Sequence, residues 1–591
     1  MFSRTRAAFA LMLSAALAAT PLQTAADTPA SAVPLVDVAG LWEASAFFGP
    51  DLRGPVTVER IGGGWRADLK GKLVAGRPDA AGRIEFDFGQ GRTLTVDPSR
   101  RAALAGFWRQ GQSPFDANSF ITPVDLAVQA PGRWGGTVAP LDARMTLYLP
   151  VTVGADGGAS AYVRNPERNA GRALRIESVR IEGGDVLLMG KPFGARVLEA
   201  VGRGRFDPDN GILSVYIPRV GQTYEFHRVD PGQGSGFYPR DPGAAPYRYT
   251  PPPARADGWP VGTLAEAGIS QPDIERFIQT LATLPMESMS TSDVHAVLIA
   301  RRGKLVLEEY FHGFDRDTLH DTRSAGKSVT ATLFGAAMQA GHPLSLSTPV
   351  YATLGATPVD PRQATMTARH LLNQTSGYFC DDSNGDAPGA EDAMQGQREE
   401  RDWYRFTLKL PMVSAPGGAA PVYCSVQPNL LGAVIARATG KPLERLFADL
   451  VAKPMGIGRY ALNTQPTGEP YMGGGLYLEP RDFMKFAEVM RAGGTWQGRR
   501  VVSRDWASQS TAPLEQFGER RYGYLWWSQE YPYQGRTVRA FYAAGNGGQI
   551  AMAIPELELV ICFMGGNYSD AAARIPQDRY VPEIILPAVG P

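Results

Sequence analysis

Ser324 and Lys327 stand three residues apart in Thr322-Arg-Ser-Ala-Gly-Lys-Ser-Val-Thr330, at the head of a segment that reads as a helix through Ala340 and stops at Gly341 and Pro343. Positions i and i+3 share a helix face, so this hydroxyl and this amine meet. Ser324 falls at the helix N-terminus, where the dipole and free N–H groups favour developing negative charge. A serine hydroxyl attacks a carbonyl only when a neighbour takes its proton, and lysine can do so only when neutral. Its ordinary pKa near 10.4 must fall by roughly 3 units, or about 4 kcal/mol, supplied by burial and neighbouring dipoles. The pair therefore calls for a dry cavity around Lys327. By itself Ser-x-x-Lys is common on solvated helix surfaces. Gly326-Lys327-Ser328 also looks like the end of a phosphate-binding loop, but position 321 is Asp where that loop requires Gly, so a nucleotide cradle is excluded.

Other segments supply the company such a pair needs. Pro421-Val-Tyr-Cys-Ser-Val-Gln-Pro-Asn429 follows about a hundred residues later, and Phe541-Tyr-Ala-Ala-Gly-Asn-Gly-Gly-Gln549 enters a strand near the C-terminus. With Leu371-Leu-Asn-Gln-Thr-Ser-Gly377, Gly473-Gly-Gly-Leu-Tyr-Leu-Glu-Pro-Arg-Asp482 and Tyr522-Gly-Tyr-Leu-Trp-Trp527, this ordered set resembles the penicillin-recognising serine hydrolases. That family contains class C β-lactamases, D-Ala-D-Ala peptidases and related esterases. The resemblance spans residues 263–590. Cys380-Asp-Asp382, Tyr423-Cys-Ser425 and the Gly-x-x-Gly-Gln run are most similar to the branch that contains 6-aminohexanoate-dimer hydrolase.

The resemblance implies an acyl-enzyme mechanism on an amide or ester. Ser324 would be acylated, Lys327 would accept its proton, and Tyr423 would share the relay and protonate the leaving group. Ser425 replaces the usual Asn of Tyr-x-Asn, with shorter reach toward Lys327. Ala543-Ala544-Gly545 replaces a third motif that normally opens with a cation, which makes β-lactam hydrolysis less expected. The N–H of Asn546, paired with that of Ser324, would form the oxyanion hole, with Gly547 or Gln549 as other occupants of that register. One such donor is worth roughly 3–4 kcal/mol. No metal or organic cofactor is implied. The substrate would be a small molecule or a short peptide-like chain. The rival reading is a non-catalytic protein that binds cell-wall peptide fragments in the same pocket; within the enzyme class, a D-Ala-D-Ala peptidase is second.

Around these residues the chain changes character. Residues 38–230 carry dense period-2 runs such as Arg83-Ile-Glu-Phe-Asp-Phe88 and Thr223-Tyr-Glu-Phe-His227, separated by Gly, Asp and Pro, which predicts an all-β sandwich or barrel with no catalytic cluster. Residues 231–262 are dominated by Pro and Gly and read as a linker. From 263 to 591 strand-like runs at both ends (294–300, 304–310, 549–554, 557–563) enclose helical segments. This predicts an α+β domain of the serine β-lactamase/D-Ala-D-Ala peptidase type, one antiparallel sheet flanked by helices. Trp526 and Trp527 read as core or wall, and Cys562 as a buried small hydrophobe. The loop Cys380–Trp403 (Asp381, Asp382, Asp386, Glu391, Asp392) reads first as a solvated pocket edge, with selection for cationic substrate ends as the sharper alternative. Cys380 and Cys424 lie on segments that should both approach the pocket; a bond between them is open, with the reduced pair slightly preferred.

Composition narrows the partners. Lys+Arg and Asp+Glu are both 59, so net charge is zero, which argues against a nucleic-acid binder. Three Cys and six scattered His, with no HExxH, argue against a disulfide scaffold and a metal hydrolase. Residues 1–26 read as a secretory leader: Arg4 and Arg6, an apolar run from Ala7 to Ala19, then small residues with cuts after Ala18 or Ala26. That run is too short to span a membrane. The expectation is an exported, periplasmic or secreted protein without a transmembrane anchor.

Overall fold

The computed structural model describes residues 34–591 apart from 80–81, 100–102, 113–118, 193–194 and 231–235; the leader and the start of the Pro/Gly segment lie outside the described residues. The sheet expected from the C-terminal half is present, with eight antiparallel strands in the order Lys304–Tyr310, Val294–Arg301, Leu559–Gly565, Gln549–Ile554, Arg536–Gly545, Trp527–Tyr533, Arg520–Tyr522 and Glu515–Phe517. Strand Val294–Arg301 is buried along its whole length because both faces are covered. Ala296, Leu298 and Ala300 face helices Gly326–Gln339, Val426–Thr439 and Pro480–Arg491, while Val297 and Ile299 face helix Gln271–Ala282 and the C-terminal segment. Helix Gly326–Gln339 is buried from Gly326 to Ala337. Its small residues allow that: a Cβ on Gly335 would strike the Trp506 ring.

The β-rich N-terminal part is two closed rings of strands, one inserted in the other. The outer ring is an eight-stranded barrel that runs from Gly40–Phe47 to Gln222–Arg228, which pair with each other to close it. Trp42, Leu147, Leu188, Val215 and Phe226 fill its interior. Between its first two strands, Gly40–Phe47 and Arg144–Val153, the chain builds a second set of eight. That ladder returns on itself because Arg133–Val138 pairs with both Gly54–Ile61 and Phe120–Ala130. Phe86, Leu94, Trp108 and Leu126 form its core.

Both rings are fastened to the C-terminal domain. Phe120 and Ile121 of the inserted ring pair with Asn463 and Leu462 of strand Tyr460–Asn463. That strand pairs with Leu476–Leu478, which pairs with His320–Asp321, directly before the Ser324 turn. The barrel docks through a buried ion pair, Arg164 Nη2 to Asp293 Oδ1 at 2.6 Å, beside His295 and His312. Asn169 also donates to Tyr568 O at 2.8 Å. Burial alone would raise the Asp293 pKa, but Arg164, His295 and His312 hold it well below the usual carboxylate range. Asp293→Ala leaves the Arg164 cation buried and unpaired, so a loss of about 3–5 kcal/mol is expected in urea unfolding; wild-type stability in this variant would show that the pair is not a fastening.

The segment 236–262 departs from the plain linker predicted for it. Its aromatic residues seat on the C-terminal domain: Tyr249 Oη donates to Val306 O at 2.8 Å and Trp259 Nε1 to Arg481 O at 3.0 Å. Proline richness hid this, because the packing comes from side chains at irregular spacing rather than from a backbone period. Among the described residues no helix is long and apolar enough to cross a membrane.

Candidate active site

Ser324 sits in a tight turn, Arg323–Ala325, that runs straight into helix Gly326–Gln339, so its backbone N–H lies at that helix's N-terminus. Two glycine-dependent approaches shape the turn. Gly474 (φ +150°) passes so close that a Cβ would lie 2.9 Å from Arg323 O and 3.4 Å from Ser324 Cα. A Cβ on Gly545, at the end of strand Arg536–Gly545, would collide with Thr322 O.

Lys327 is 1% exposed, as a neutral amine requires. Its Nζ lies 2.9 Å from Ser324 Oγ and 2.7 Å from Gly473 O, and 4.8 Å from the centre of the Tyr423 ring. Burial lowers its pKa; Glu391 and Asp382 oppose that shift. Burial raises the pKa of the Tyr423 phenol, and the neighbouring Ser324 hydroxyl acts in the opposite direction. Thus the Ser324 hydroxyl and the phenol ring, drawn from positions a hundred residues apart, gather around Lys327 Nζ. Tyr423 stacks on Trp527 at 5.6 Å between ring centres, and Tyr522 and Phe517 complete that wall. Trp526 is fully buried core.

The segment Val422–Ser425 is clamped by residues that sequence reasoning did not single out. Gln374 accepts from Val422 N through its backbone O and from Cys424 N through Oε1. Asp382 N donates to Tyr423 O, and Asp382 Oδ2 accepts from Ser425 N at 2.8 Å and from Ser425 Oγ at 2.6 Å. Cys380 and Cys424 form a disulfide with Cα atoms 5.8 Å apart. The bond, which the residues alone left open with the reduced pair preferred, ties the acidic loop to the tyrosine. The Ser425 hydroxyl is therefore spent on Asp382, and Lys327 finds its second partner at Gly473 O. The acidic loop is also not wholly the solvated edge expected of it. Asp382 turns onto Ser425, and Glu391 Oε1 accepts from Tyr471 Oη at 2.6 Å. The available signals were Gln374 within Leu-Leu-Asn-Gln-Thr-Ser-Gly and the adjacency of Asp382 to Cys380. Cys562 is fully buried.

Beyond Gly545 the chain turns through Asn546–Gly548. Asn546 is exposed, and its Oδ1 accepts from Ser569 N at 2.7 Å. Gln549 is committed elsewhere, donating to Gly565 O at 2.6 Å and Asn546 O at 3.2 Å. Gly547 lies against the Tyr568 ring. Asn546 is thus the residue that follows the glycine in contact with the Ser324 turn. Ala543 and Ala544 bring no charge to this strand.

Residues 291–578 match the family described as Beta-lactamase. The chain is 28% identical over 263 residues to 6-aminohexanoate-dimer hydrolase of Paenarthrobacter ureafaciens, a match that covers 43% of this chain and 63% of that protein's length. A solved penicillin binding protein from Bacillus halodurans aligns at 17% identity with a TM-score of 0.39, over 49% of this chain and 97% of that one.

Proposed function

We propose, from the match of residues 291–578 to the family described as Beta-lactamase, that the chain is an exported serine hydrolase that cleaves an amide or ester through an acyl-enzyme on Ser324. The observation that carries this reading is the buried Lys327 Nζ 2.9 Å from Ser324 Oγ, with the centre of the Tyr423 ring 4.8 Å from the same nitrogen. With the amine neutral, Ser324 O–H donates to the Nζ lone pair. As the Oγ–C bond forms, that proton moves to Lys327. The oxyanion accepts from the N–H groups of Ser324 and Asn546, the former at a helix N-terminus. When the tetrahedral intermediate collapses, the bond to the leaving nitrogen or oxygen breaks, Tyr423 delivers a proton to it, and the proton held by Lys327 passes back to Tyr423, so the phenol and the neutral amine are both restored. Water then attacks the ester on Ser324 along the reverse relay. Ser425 acts by holding Asp382, which keeps Tyr423 in register.

The activity of the Paenarthrobacter protein on a 6-aminohexanoate dimer favours a small-molecule or short peptide-like substrate with an amide link. The uncharged Ala543-Ala544 speaks against β-lactams. A disulfide beside the site suits an oxidising compartment, which supports export. A fluorophosphonate probe tests the reading: covalent labelling of wild type that maps to Ser324 and vanishes in Ser324→Ala is expected. A folded protein that stays unlabelled would instead point to a non-catalytic binder of cell-wall peptides.

A further inference from the structure

Resting on that hydrolase reading, we propose that Arg323 forms a carboxylate subsite, so that the preferred substrates carry an anionic group close to the scissile carbonyl. Arg323 is the residue before Ser324 and takes a left-handed backbone, φ +50°. Its side chain is held on two sides. Asp321 Oδ1 accepts from the Arg323 N–H at 2.8 Å and Asp321 Oδ2 pairs with Nε at 2.9 Å, so both carboxylate oxygens are used on this one residue. The guanidinium lies 4.7 Å from the centre of the Tyr568 ring. Among the described residues the two Nη groups have no acceptor, and the side chain remains 38% exposed. An oriented guanidinium with a free edge offers the paired donors that match a carboxylate.

The other groups around Ser324 offer an anion less. Lys327 is buried and engaged by Ser324 and Gly473. Strand Arg536–Gly545 presents only Ala543, Ala544 and Gly545 here, and a Cβ on Gly545 would lie 3.0 Å from Arg323 Cβ, so this strand and Arg323 adjoin. Asp382 and Glu391, which act on Lys327, disfavour an anion beside it, and Glu391 acts on Arg323 as well. Arg323 is therefore a partly exposed cation on the residue next to the nucleophile.

The test compares 4-nitrophenyl hydrogen adipate with 4-nitrophenyl hexanoate, esters of one chain length that differ by the terminal carboxylate. Wild type is expected to favour the adipate by about tenfold or more in kcat/KM, chiefly through KM. In Arg323→Met the ratio should fall close to one, and in Arg323→Lys part of it should return. A wild-type ratio near one, or a ratio that survives in Arg323→Met, overturns the subsite while the hydrolase reading stands. Should Arg323→Met fail to fold, wild type at rising ionic strength decides: a ratio that shrinks supports the subsite and an unchanged ratio overturns it. If wild type hydrolyses neither ester, the hydrolase reading fails and the subsite falls with it.

Discussion

Ser324→Ala is expected to lower kcat on a short-chain chromogenic ester by a factor on the order of 10^4 or more, because the acyl-enzyme has no other oxygen to form on. Whatever turnover remains would come from positioning and from N–H groups aimed at the carbonyl oxygen. The fold should be unaffected. Among the described residues the hydroxyl's hydrogen bond is to Lys327, and the turn is set by backbone contacts with Gly474 and Gly545. A variant with native circular dichroism and undiminished turnover would remove Ser324 from the chemistry.

Lys327→Met is expected to cost about 10^2–10^4 in kcat, the usual worth of a positioned proton acceptor. It also carries a signature that a merely structural lysine would not. Burial lowers the pKa of folded Lys327, with Glu391 and Asp382 opposing, whereas the unfolded chain keeps its proton up to about 10.4. Between those two values the unfolded state binds more protons, so this residue's contribution to stability grows as pH rises through that window. Below the folded pKa the charge is buried in full and stability is lowest. Urea unfolding of wild type and Lys327→Met across neutral to alkaline pH should therefore show the difference moving in favour of wild type as pH increases. A difference that stays flat would mean that Lys327 keeps its ordinary pKa, and the amine could not serve as proton acceptor. Wild-type turnover should rise with pH over the same ionisation.

Much of this arrangement was legible before any coordinates. Ser324 and Lys327 could be read together because helix periodicity is local: three residues along a helix is one face, whatever the tertiary context. The eight-stranded sheet was anticipated in kind, since fully apolar runs at 294–300 and 557–563 demand cover on both faces. Tyr423 needed the order of motifs, as nothing local ties position 423 to position 324. What escaped was long-range and polar. Asp382 looks like any acid in a hydrophilic loop, and only the fold turns it onto Ser425. Gln374 works through its backbone as much as its amide, and backbone hydrogen bonds leave no mark in composition. The nested rings were hidden for a related reason. Period-2 runs reveal strands but not which strand closes upon which, so residues 38–230 read as one β unit.

The ladder that joins Phe120–Ile121 to Leu462–Asn463 has a practical corollary for anyone who wishes to shorten the protein. Cutting away the first 262 residues would strip a partner from that strand and leave raw amide and carbonyl groups along its flank, ready to recruit strands from other molecules. The trimmed piece would clump before its chemistry could be assayed, and the insolubility would be easy to mistake for a catalytic defect. The N-terminal strands are thus what keeps that flank of the C-terminal half covered.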